Sequence, residues 1–224
     1  MNEGDLAVVR SASAHLVVDD LESVSLSEEA EHHVFRVMRV RDGELVTATD
    51  GRGAWRACRA SGGGLLPDGE VRRVDQERRP ITIACAIPKR DRPEWIVQKL
   101  TELGVARIVL LHADRSVVRW DGARAAKHLE KLRKVAVEAL QQSRGVVLPA
   151  VEGPVAAADL LPTAVAAEPG GRRLTAGDTA IAIGPEGGWS EAELAAAHDT
   201  VSLGPTILRV ETAALAAAVL ARLR

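Results

Sequence analysis

Apolar and polar positions follow two different rhythms along the chain. Before Pro80, short apolar runs alternate with turn residues, and one stretch capped by Ser27 has helical spacing. The helix is predicted over 27–36 and the strands at 6–9, 15–18, 45–49, 54–58 and 70–74. Several short strands at close spacing indicate a small β-barrel.

After Pro80, the apolar runs are separated by amphipathic stretches. Strands are predicted at 81–86, 107–111, 164–167, 179–183 and 201–203. Helices are predicted at 93–103, 123–143, 154–161 and 211–223. Strands that alternate with helices predict a largely parallel α/β sheet. The change of rhythm predicts two domains, 1–74 and 80–224, divided by the charged run 75–79.

A glycine-rich loop follows the predicted strand 179–183. Gly184, Gly187 and Gly188 surround Pro185 and Glu186, and a Ser-x-x-Glu capping box at Ser190 then opens a helix. Loops at the carboxyl ends of strands in an open α/β sheet are where ligands bind. The spacing fits neither a dinucleotide fingerprint nor a P-loop. An ordinary strand-to-helix turn with incidental glycines is the alternative interpretation.

The strand at 201–203 leads into a second loop of the same kind. Leu203 and Gly204 are followed by Pro205, and Glu211 with Thr212 lies at the amino terminus of the last predicted helix. Free N–H groups at a helix amino terminus favour negative charge. Helix capping alone would also explain Glu211 and Thr212. Two such loops at neighbouring strand ends together favour a ligand site.

Composition narrows the class of protein. The 224 residues are 46% hydrophobic, carry a net charge of −2 and include only two cysteines, Cys58 and Cys85, without metal-ligand spacing. We expect no signal peptide, no membrane span and a reducing cytoplasmic location. Charge is segregated, because residues 80–150 carry thirteen basic and seven acidic side chains. That basic middle suggests a polyanion partner or a set of solvated helix faces.

Several motifs taken together resemble one family. They are 184–188, Leu203-Gly204, Ile207-Leu208-Arg209-x-Glu211-Thr212-Ala213, 98–104, 138–144 with Pro149, and Val37-Met38-Arg39 with Gly43. The combination resembles the RsmE-type ribosomal RNA small-subunit uridine-N3 methyltransferases of the SPOUT superfamily, and it spans nearly the whole chain. One departure is Thr206, which stands where that family usually has a basic residue.

The resemblance implies a fold, a reaction and a set of partners. We expect a PUA-like β-barrel that binds RNA, followed by an α/β domain with a deep carboxyl-terminal trefoil knot that forms a homodimer. The implied reaction is methylation of uridine N3 in 16S rRNA of the small ribosomal subunit, with S-adenosyl-L-methionine as cofactor and no metal. Other SPOUT methylations, at ribose 2′-O or another base, and a non-catalytic RNA-binding assembly factor remain alternatives.

The same resemblance assigns candidate residues. Arg209 is the candidate cation that stabilises charge on the base, and Glu211 is the candidate proton acceptor. Trp189 either stacks on a base or belongs to the core. The cofactor is expected to contact Ala167, Glu168, Gly184, Pro185, Glu186, Gly187, Gly188, Leu203, Gly204, Ile207, Leu208, Thr212 and Ala213. RNA is expected to contact Arg36, Arg39, Arg41, Lys89, Arg90, Arg92, Gln142 and Arg144.

Overall fold

The computed structural model describes residues 1–74 and 79–223. Most of the predicted boundary run, 75–78, therefore lies outside the described residues. The chain forms two compact units, one of residues 1–77 and 137–148, the other of residues 78–136 and 149–224. Among the described residues, no helix is long and apolar enough to cross a membrane.

The first unit contains a five-stranded sheet. Its strands are β1 (Ala14–Val17), β2 (Leu45–Thr49), β3 (Ala54–Ser61), β4 (Gly64–Pro67) and β5 (Arg72–Arg73). The first four lie in the order β1-β2-β3-β4, and β5 pairs with β3. β1 and β2 are parallel, whereas β2, β3 and β4 are successive antiparallel neighbours. The predicted hairpin of 45–49 and 54–58 is confirmed, while the last strand is shorter than predicted.

The prediction of a strand at 6–9 is wrong, because α1 (Glu3–Ser11) is a helix. The side chain of Asn2 caps it by accepting a hydrogen bond from the Asp5 backbone N–H at 2.8 Å. Acidic residues occupy its first turn and Arg10 its last, which complements the helix dipole. A four-residue apolar run cannot by itself distinguish a strand from one buried helix face.

The helix predicted over 27–36 is present in two parts. α2 (Glu28–Glu31) begins after Ser27, whose hydroxyl accepts from the Ala30 N–H at 3.2 Å, so the predicted cap is confirmed. It continues as a π-helical segment, His32–Val37. The chain then turns at Arg39, whose φ of 59° lies in the left-handed region.

The second unit contains a six-stranded, all-parallel sheet, where the sequence predicted a largely parallel sheet of five strands. Its strands are β6 (Thr82–Ala86), β7 (Arg107–His112), β8 (Ala150–Ala156), β9 (Val165–Arg173), β10 (Ala180–Ile183) and β11 (Asp199–Ser202). Their order is β11-β9-β10-β6-β7-β8. Ile183, the last residue of β10, pairs with Ala167 in the middle of β9, so the loop after β10 begins beside residues that β9 itself continues through. Such loops at the carboxyl ends of parallel strands are where ligands bind.

Helices connect these strands. They are α3 (Arg92–Glu102), α4 (Gly122–Ser143), α5 (Ala157–Leu160), α6 (Glu191–Ala196) and α7 (Val210–Arg222), with a 3₁₀ turn at Leu161–Thr163. Gly104 follows the C-cap residue of α3, Leu103, and its φ of 69° suits the glycine stop that the sequence predicted. The residues of α4 from 137 onward are grouped with the first unit.

Two predictions in this unit need correction. Residues 154–161 were expected to be one helix, but β8 extends to Ala156, and only residues 157–160 are α-helical. Gly-Pro resembles a helix start, yet Gly153 passes so close to β7 that a Cβ there would lie 2.5 Å from the Leu110 carbonyl oxygen. β9 also continues beyond the predicted 164–167, because its second half pairs with β11 after a register shift.

His15 is a buried polar residue of the first unit. Its Nε2 lies 2.7 Å from the Gly145 carbonyl oxygen and its Nδ1 lies 2.8 Å from Thr47 Oγ1. A carbonyl only accepts, so Nε2 carries the hydrogen and the Thr47 hydroxyl donates to Nδ1. Burial lowers the pKa of His15 from 6.5 to about 4, and Arg144 opposes its protonation as well. The folded state therefore holds this imidazole neutral.

We expect the free energy of unfolding to fall as the pH drops from 6.5 to 4. His15 takes up a proton in the unfolded chain below pH 6.5 but not in the folded chain until about pH 4. Its contribution is fully present above pH 6.5, and at most about 3 kcal/mol is lost by pH 4. Urea unfolding across this range, with hydrogen exchange of β1 and β2 peptides, measures the loss.

His15→Gln is the matched control for this titration. The amide donates toward the Gly145 carbonyl oxygen but does not titrate, so the variant should have a flatter stability profile between pH 6.5 and 4. Parallel profiles for the two proteins would show that His15 is not the responsible group.

Candidate cofactor pocket and RNA-binding residues

A pocket of about 330 Å³ lies at the carboxyl ends of β10 and β11, beside residues 167–169 in the middle of β9. That volume falls within the range of small-molecule sites. The pocket is formed by residues 167–169 of β9 and by the two loops that follow β10 and β11. Its lining residues are Ala167, Glu168, Pro169, Ile183, Gly184, Pro185, Glu186, Gly187, Gly188, Trp189, Ser202, Leu203, Gly204, Thr206, Ile207, Leu208, Val210 and Ala213.

All of the predicted cofactor residues except Thr212 line this pocket. Thr212 is exposed in the first turn of α7. The sequence interpretation missed Pro169, Ile183, Ser202 and Val210, which are immediate neighbours of predicted residues. It also set aside Thr206, which lines the pocket. A prediction that covered the whole loop segments, and not single residues within them, would have included these residues.

The glycines after β10 are needed for packing behind the pocket. A Cβ on Gly184 would lie 2.9 Å from the Trp189 ring, and a Cβ on Gly187 would lie 3.2 Å from Arg115 Cβ. Gly188 has a φ of 71°, which disfavours other residues. The sequence interpretation assigned these glycines to close approach of a ligand. The structure adds that their own neighbours also require the absence of a side chain.

Trp189 belongs to the core. It is 4% exposed and packs with residues of the central sheet. Its indole Nε1 donates to the Ala167 carbonyl oxygen at 3.1 Å, which ties the loop after β10 to β9. Base stacking by this ring is therefore excluded in this conformation, and the core interpretation of Trp189 holds.

The predicted capping box at the start of α6 is confirmed and has a second function. The Glu193 carboxylate accepts from the Ser190 N–H at 2.8 Å and from the Asp114 N–H at 2.9 Å. The Ser190 hydroxyl donates to Asp114 Oδ2 at 2.6 Å. The loop after β7 is thereby fixed beside the loop after β10, and Arg115 donates from Nη1 to the Gly187 carbonyl oxygen at 3.1 Å.

Asp114 and Arg115 were missed from the sequence. Their only available signal was their position just after an apolar strand, at the same edge of the sheet as the glycine loops. Nothing local in Asp-Arg-Ser predicts a contact with a segment more than seventy residues later.

The loop after β11 carries the candidate catalytic residues. Ile207, which lines the pocket, is 88% exposed. Arg209 is exposed at the N-cap position of α7 and makes no side-chain hydrogen bond or ion pair with the described residues. Glu211 follows in the first turn, with its side chain only 15% exposed. Its Oε2 atom is buried and has no hydrogen-bond partner among the described residues.

Arg92 connects two acidic residues at this edge. Its Nε lies 3.5 Å from Glu211 Oε1, and its Nη1 lies 3.8 Å from Glu186 Oε1. Arg92 is the first residue of α3, so three segments meet in this cluster: the start of α3, the loop after β10 and the start of α7. The sequence interpretation placed Arg92 among the RNA contacts and did not foresee these ion pairs.

The other predicted RNA contacts lie in both units. Arg36, Arg39, Arg41 and Gln142 are exposed in the first unit, and Lys89 with Arg90 is exposed in the loop after β6 of the second. Arg90, like Arg39, has a positive φ, 65°.

Arg144 is engaged within the first unit. Its Nη2 donates to the Ala12 carbonyl oxygen at 2.9 Å, and burial lowers the pKa of its guanidinium. Its φ is 61°. We find no cluster of metal-ligating side chains among the residues that the structure describes. Cys58 and Cys85 are buried free thiols, whose pKa values burial raises to about 11 and about 12.

Comparison with known proteins identifies the family. Residues 75–222 match the RNA methyltransferase domain family, and residues 26–60 match the RNA methyltransferase PUA domain family. The chain is 36% identical to ribosomal RNA small subunit methyltransferase E of Mycobacterium bovis, an alignment covering 83% of this chain and 80% of that protein. The chain belongs to the ribosomal RNA small subunit methyltransferase E family. The Bacillus subtilis family member is 30% identical, with coverage of 88% and 89%.

Solved structures of similar proteins agree with this membership. A protein of Legionella pneumophila in complex with the bound cofactor SAM superposes with a TM-score of 0.79, at 26% identity and coverage of 93% and 96%. The family member of Neisseria gonorrhoeae, bound to S-adenosyl methionine, superposes with a TM-score of 0.78 at 27% identity, with coverage of 92% and 95%. The α/β fold with a PUA-like domain is thus that of the methyltransferase E family.

We expect Gly184→Ala to destabilise the pocket wall. The added Cβ would meet the Trp189 ring at 2.9 Å, so the ring must move, and its hydrogen bond to the Ala167 carbonyl oxygen lengthens. Overpacking of this kind costs about 1–3 kcal/mol. Thermal unfolding and Trp fluorescence measure the change.

Gly177→Ala is the matched control in the same unit. A Cβ there would meet only Thr175 Oγ1, at 3.7 Å, which is ordinary van der Waals contact. Equal melting temperatures for Gly184→Ala and the wild-type protein would contradict the packing argument.

Proposed function

We propose that this protein transfers a methyl group from S-adenosyl-L-methionine to N3 of a uridine in 16S rRNA of the small ribosomal subunit. The observation that carries the proposal is the pocket formed by the middle of β9 and the loops after β10 and β11, in a chain of this family. Arg209 and Glu211 are sequence neighbours of the lining residues Leu208 and Val210. The relatives' names supply the substrate class, ribosomal RNA of the small subunit. The resemblance of the motifs to those of uridine-N3 methyltransferases supports N3 as the methylated atom.

The pocket suits this cofactor chemically. Ile183, Leu208 and Val210 offer apolar surface for an adenine, and the two loops offer backbone N–H and C=O groups. Glu168 lines the pocket and makes no hydrogen bond or ion pair with the described residues, so its carboxylate is available to hydroxyl or ammonium groups. When bound, the cofactor supplies a methyl group that is carried on a positively charged sulfur. The rest of the cofactor is the leaving group, a neutral thioether.

The protein's own residues would act mainly by positioning and by charge. Uridine N3 must lose its proton before or as it accepts the methyl group, and Glu211 is the proposed acceptor of that proton. Negative charge develops on the neighbouring carbonyl oxygen, and the exposed guanidinium of Arg209 is the proposed stabilising group. The loops hold the reacting atoms in line, which supplies a further part of the rate.

Arginine and lysine side chains would bind the RNA. Arg36, Arg39 and Arg41 in the first unit and Lys89 with Arg90 in the second are exposed and available to phosphates. Gln142, also exposed, would add a polar contact. Arg144 is held by Ala12, and the ion pairs of Arg92 give it the different role argued below. Because N3 lies on the Watson–Crick edge, the target uridine must be unpaired or flipped out.

The finer architecture is part of the proposal. We assign residues 1–74 to a PUA-like barrel that binds RNA and residues 80–224 to a SPOUT methyltransferase domain with a carboxyl-terminal trefoil knot. A homodimer, formed through the apolar face of α7, is supported by the exposed side chains of Val219 and Leu223. A cytoplasmic location follows from an rRNA substrate.

We expect Arg209→Ala and Glu211→Gln each to lower kcat about 100-fold while the cofactor Kd changes little. The assay incubates the protein with S-adenosyl-L-methionine and small ribosomal subunits from a strain lacking this activity. Nucleoside mass spectrometry then quantifies 3-methyluridine. Arg107→Ala and Glu191→Gln, which change the same residue types away from the pocket lining, are the controls. Near wild-type turnover by either pocket variant would remove that residue from the mechanism.

We expect the double variant Arg39→Ala/Arg90→Ala to weaken RNA binding and to reduce its salt dependence. Each lost phosphate contact lowers the slope of log K against log salt by about 0.7–0.9, so two lower it by about 1.5. Filter binding or fluorescence anisotropy across salt concentrations measures the slope. Arg10→Ala/Arg124→Ala removes one exposed arginine from each unit as the control. An unchanged slope in the test variant would mean that neither arginine contacts phosphate.

A further inference from the structure

Arg92 lies between two carboxylates that belong to different parts of the site. Glu211, at 3.5 Å, is the proposed proton acceptor, and Glu186, at 3.8 Å, is part of the pocket lining. Both separations are longer than the 2.6 Å between Arg107 and Glu152 in the same unit. The guanidinium of Arg92 therefore interacts with both carboxylates. A small movement of the loop after β10 or of the start of α7 would strengthen one of these interactions at the expense of the other.

Glu211 depends on this arginine for its charge balance. Its side chain is mostly buried and its Oε2 has no hydrogen-bond partner, so an isolated negative charge there would be unfavourable. Among the described residues, Arg92 is the cation within 4 Å of this carboxylate.

Among the described residues, no other ionisable group on the elements packed against α7 pairs with Glu211. α7 packs on α3, β6 and β10. On α3, Glu94 pairs with Lys131 and Lys99 pairs with Glu102. β6 contributes the Cys85 thiol, whose pKa is about 12, so it stays neutral, and β10 contributes no ionisable side chain. Asp91, before α3, and Arg209, before α7, are exposed.

Glu186 connects the same arginine to the pocket wall. It belongs to the loop after β10, between Pro185 and Gly187, and its side chain is about half exposed. A ligand that moves this loop must also move Glu186 relative to Arg92. The electrostatic surroundings of Glu211 are thus coupled to the conformation of the pocket.

We propose that Arg92 is a positioning residue that holds the Glu211 carboxylate and couples it to the pocket wall through Glu186. Arg92 touches neither the uridine nor the cofactor in this role, and it is not an RNA phosphate contact. The catalytic part of the inference rests on the function proposed above, because it takes Glu211 as the proton acceptor. The ion-pair coupling itself is a property of the protein without ligands.

The first test compares Arg92→Ala and Arg92→Lys with the wild-type enzyme. We expect Arg92→Ala to lower kcat about tenfold or more, with RNA Kd and its salt slope unchanged. Arg92→Lys should recover part of kcat. Arg107→Ala, which breaks an ion pair at the amino end of β7, should change none of these quantities.

The second test needs no turnover. A double-mutant cycle of Arg92→Ala and Glu211→Gln, followed by thermal unfolding of the protein alone, measures their coupling. We expect Arg92→Ala to lower the melting temperature and Glu211→Gln, in that background, to restore at least half of the loss. The melting temperature should recover because a neutral glutamine at position 211 no longer needs the positive charge of Arg92 beside it.

Three results separate the possibilities. A weaker RNA Kd with a smaller salt slope would make Arg92 a phosphate contact and overturn the proposal. Additive changes in melting temperature would overturn the ion-pair coupling. If the wild-type protein made no 3-methyluridine, the proposed function would fail instead, and the unfolding cycle would still decide whether Arg92 and Glu211 are coupled.

Discussion

The pocket depends on the hydrogen bonds that the buried carboxylate of Glu193 accepts. Glu193 is 3% exposed and accepts N–H groups from Ser190 and from Asp114, which belong to different loops. A buried carboxylate is tolerated only with such partners, so the two loops are fixed by one requirement. These hydrogen bonds set where the loop after β10 enters α6. They also bring Arg115 close enough to donate to the Gly187 carbonyl oxygen. The pocket wall is therefore built from segments distant in sequence.

Elements that were predictable from the sequence are those whose signals are local. The hairpin of β2 and β3, five of the six strands of the parallel sheet, the helices α3, α4 and α7 and the Ser190 capping box each have their pattern within a few residues. α1 and β8 were misassigned because a four-residue apolar run and a Gly-Pro pair each fit two structures. The extension of β9 depends on pairing with β11, and no pattern within 164–173 reports that partner.

The same distinction explains what could be anticipated about the site. Glycine loops after strands can be recognised locally, and they brought most of the pocket lining into the prediction. The contacts of Arg92 and Arg115 cannot be recognised from local sequence, because each contact joins residues about seventy or more positions apart. The result is a site with two kinds of charge. Glu186 and Glu211 are compensated by Arg92, whereas Glu168 and Arg209 have no partner among the described residues. Uncompensated charges of both signs suit ligands that carry both.

Arg39 and Arg90 place long cationic side chains on backbone with positive φ, at 59° and 65°. Glycine or asparagine would hold that backbone with less steric conflict. Neither arginine makes a side-chain hydrogen bond or ion pair with the described residues to offset the conflict. A redesign guided only by folding stability would therefore replace both positions early. With the RNA-binding role proposed above for both arginines, a thermostable version of this enzyme would have to be selected on RNA binding as well as on melting temperature.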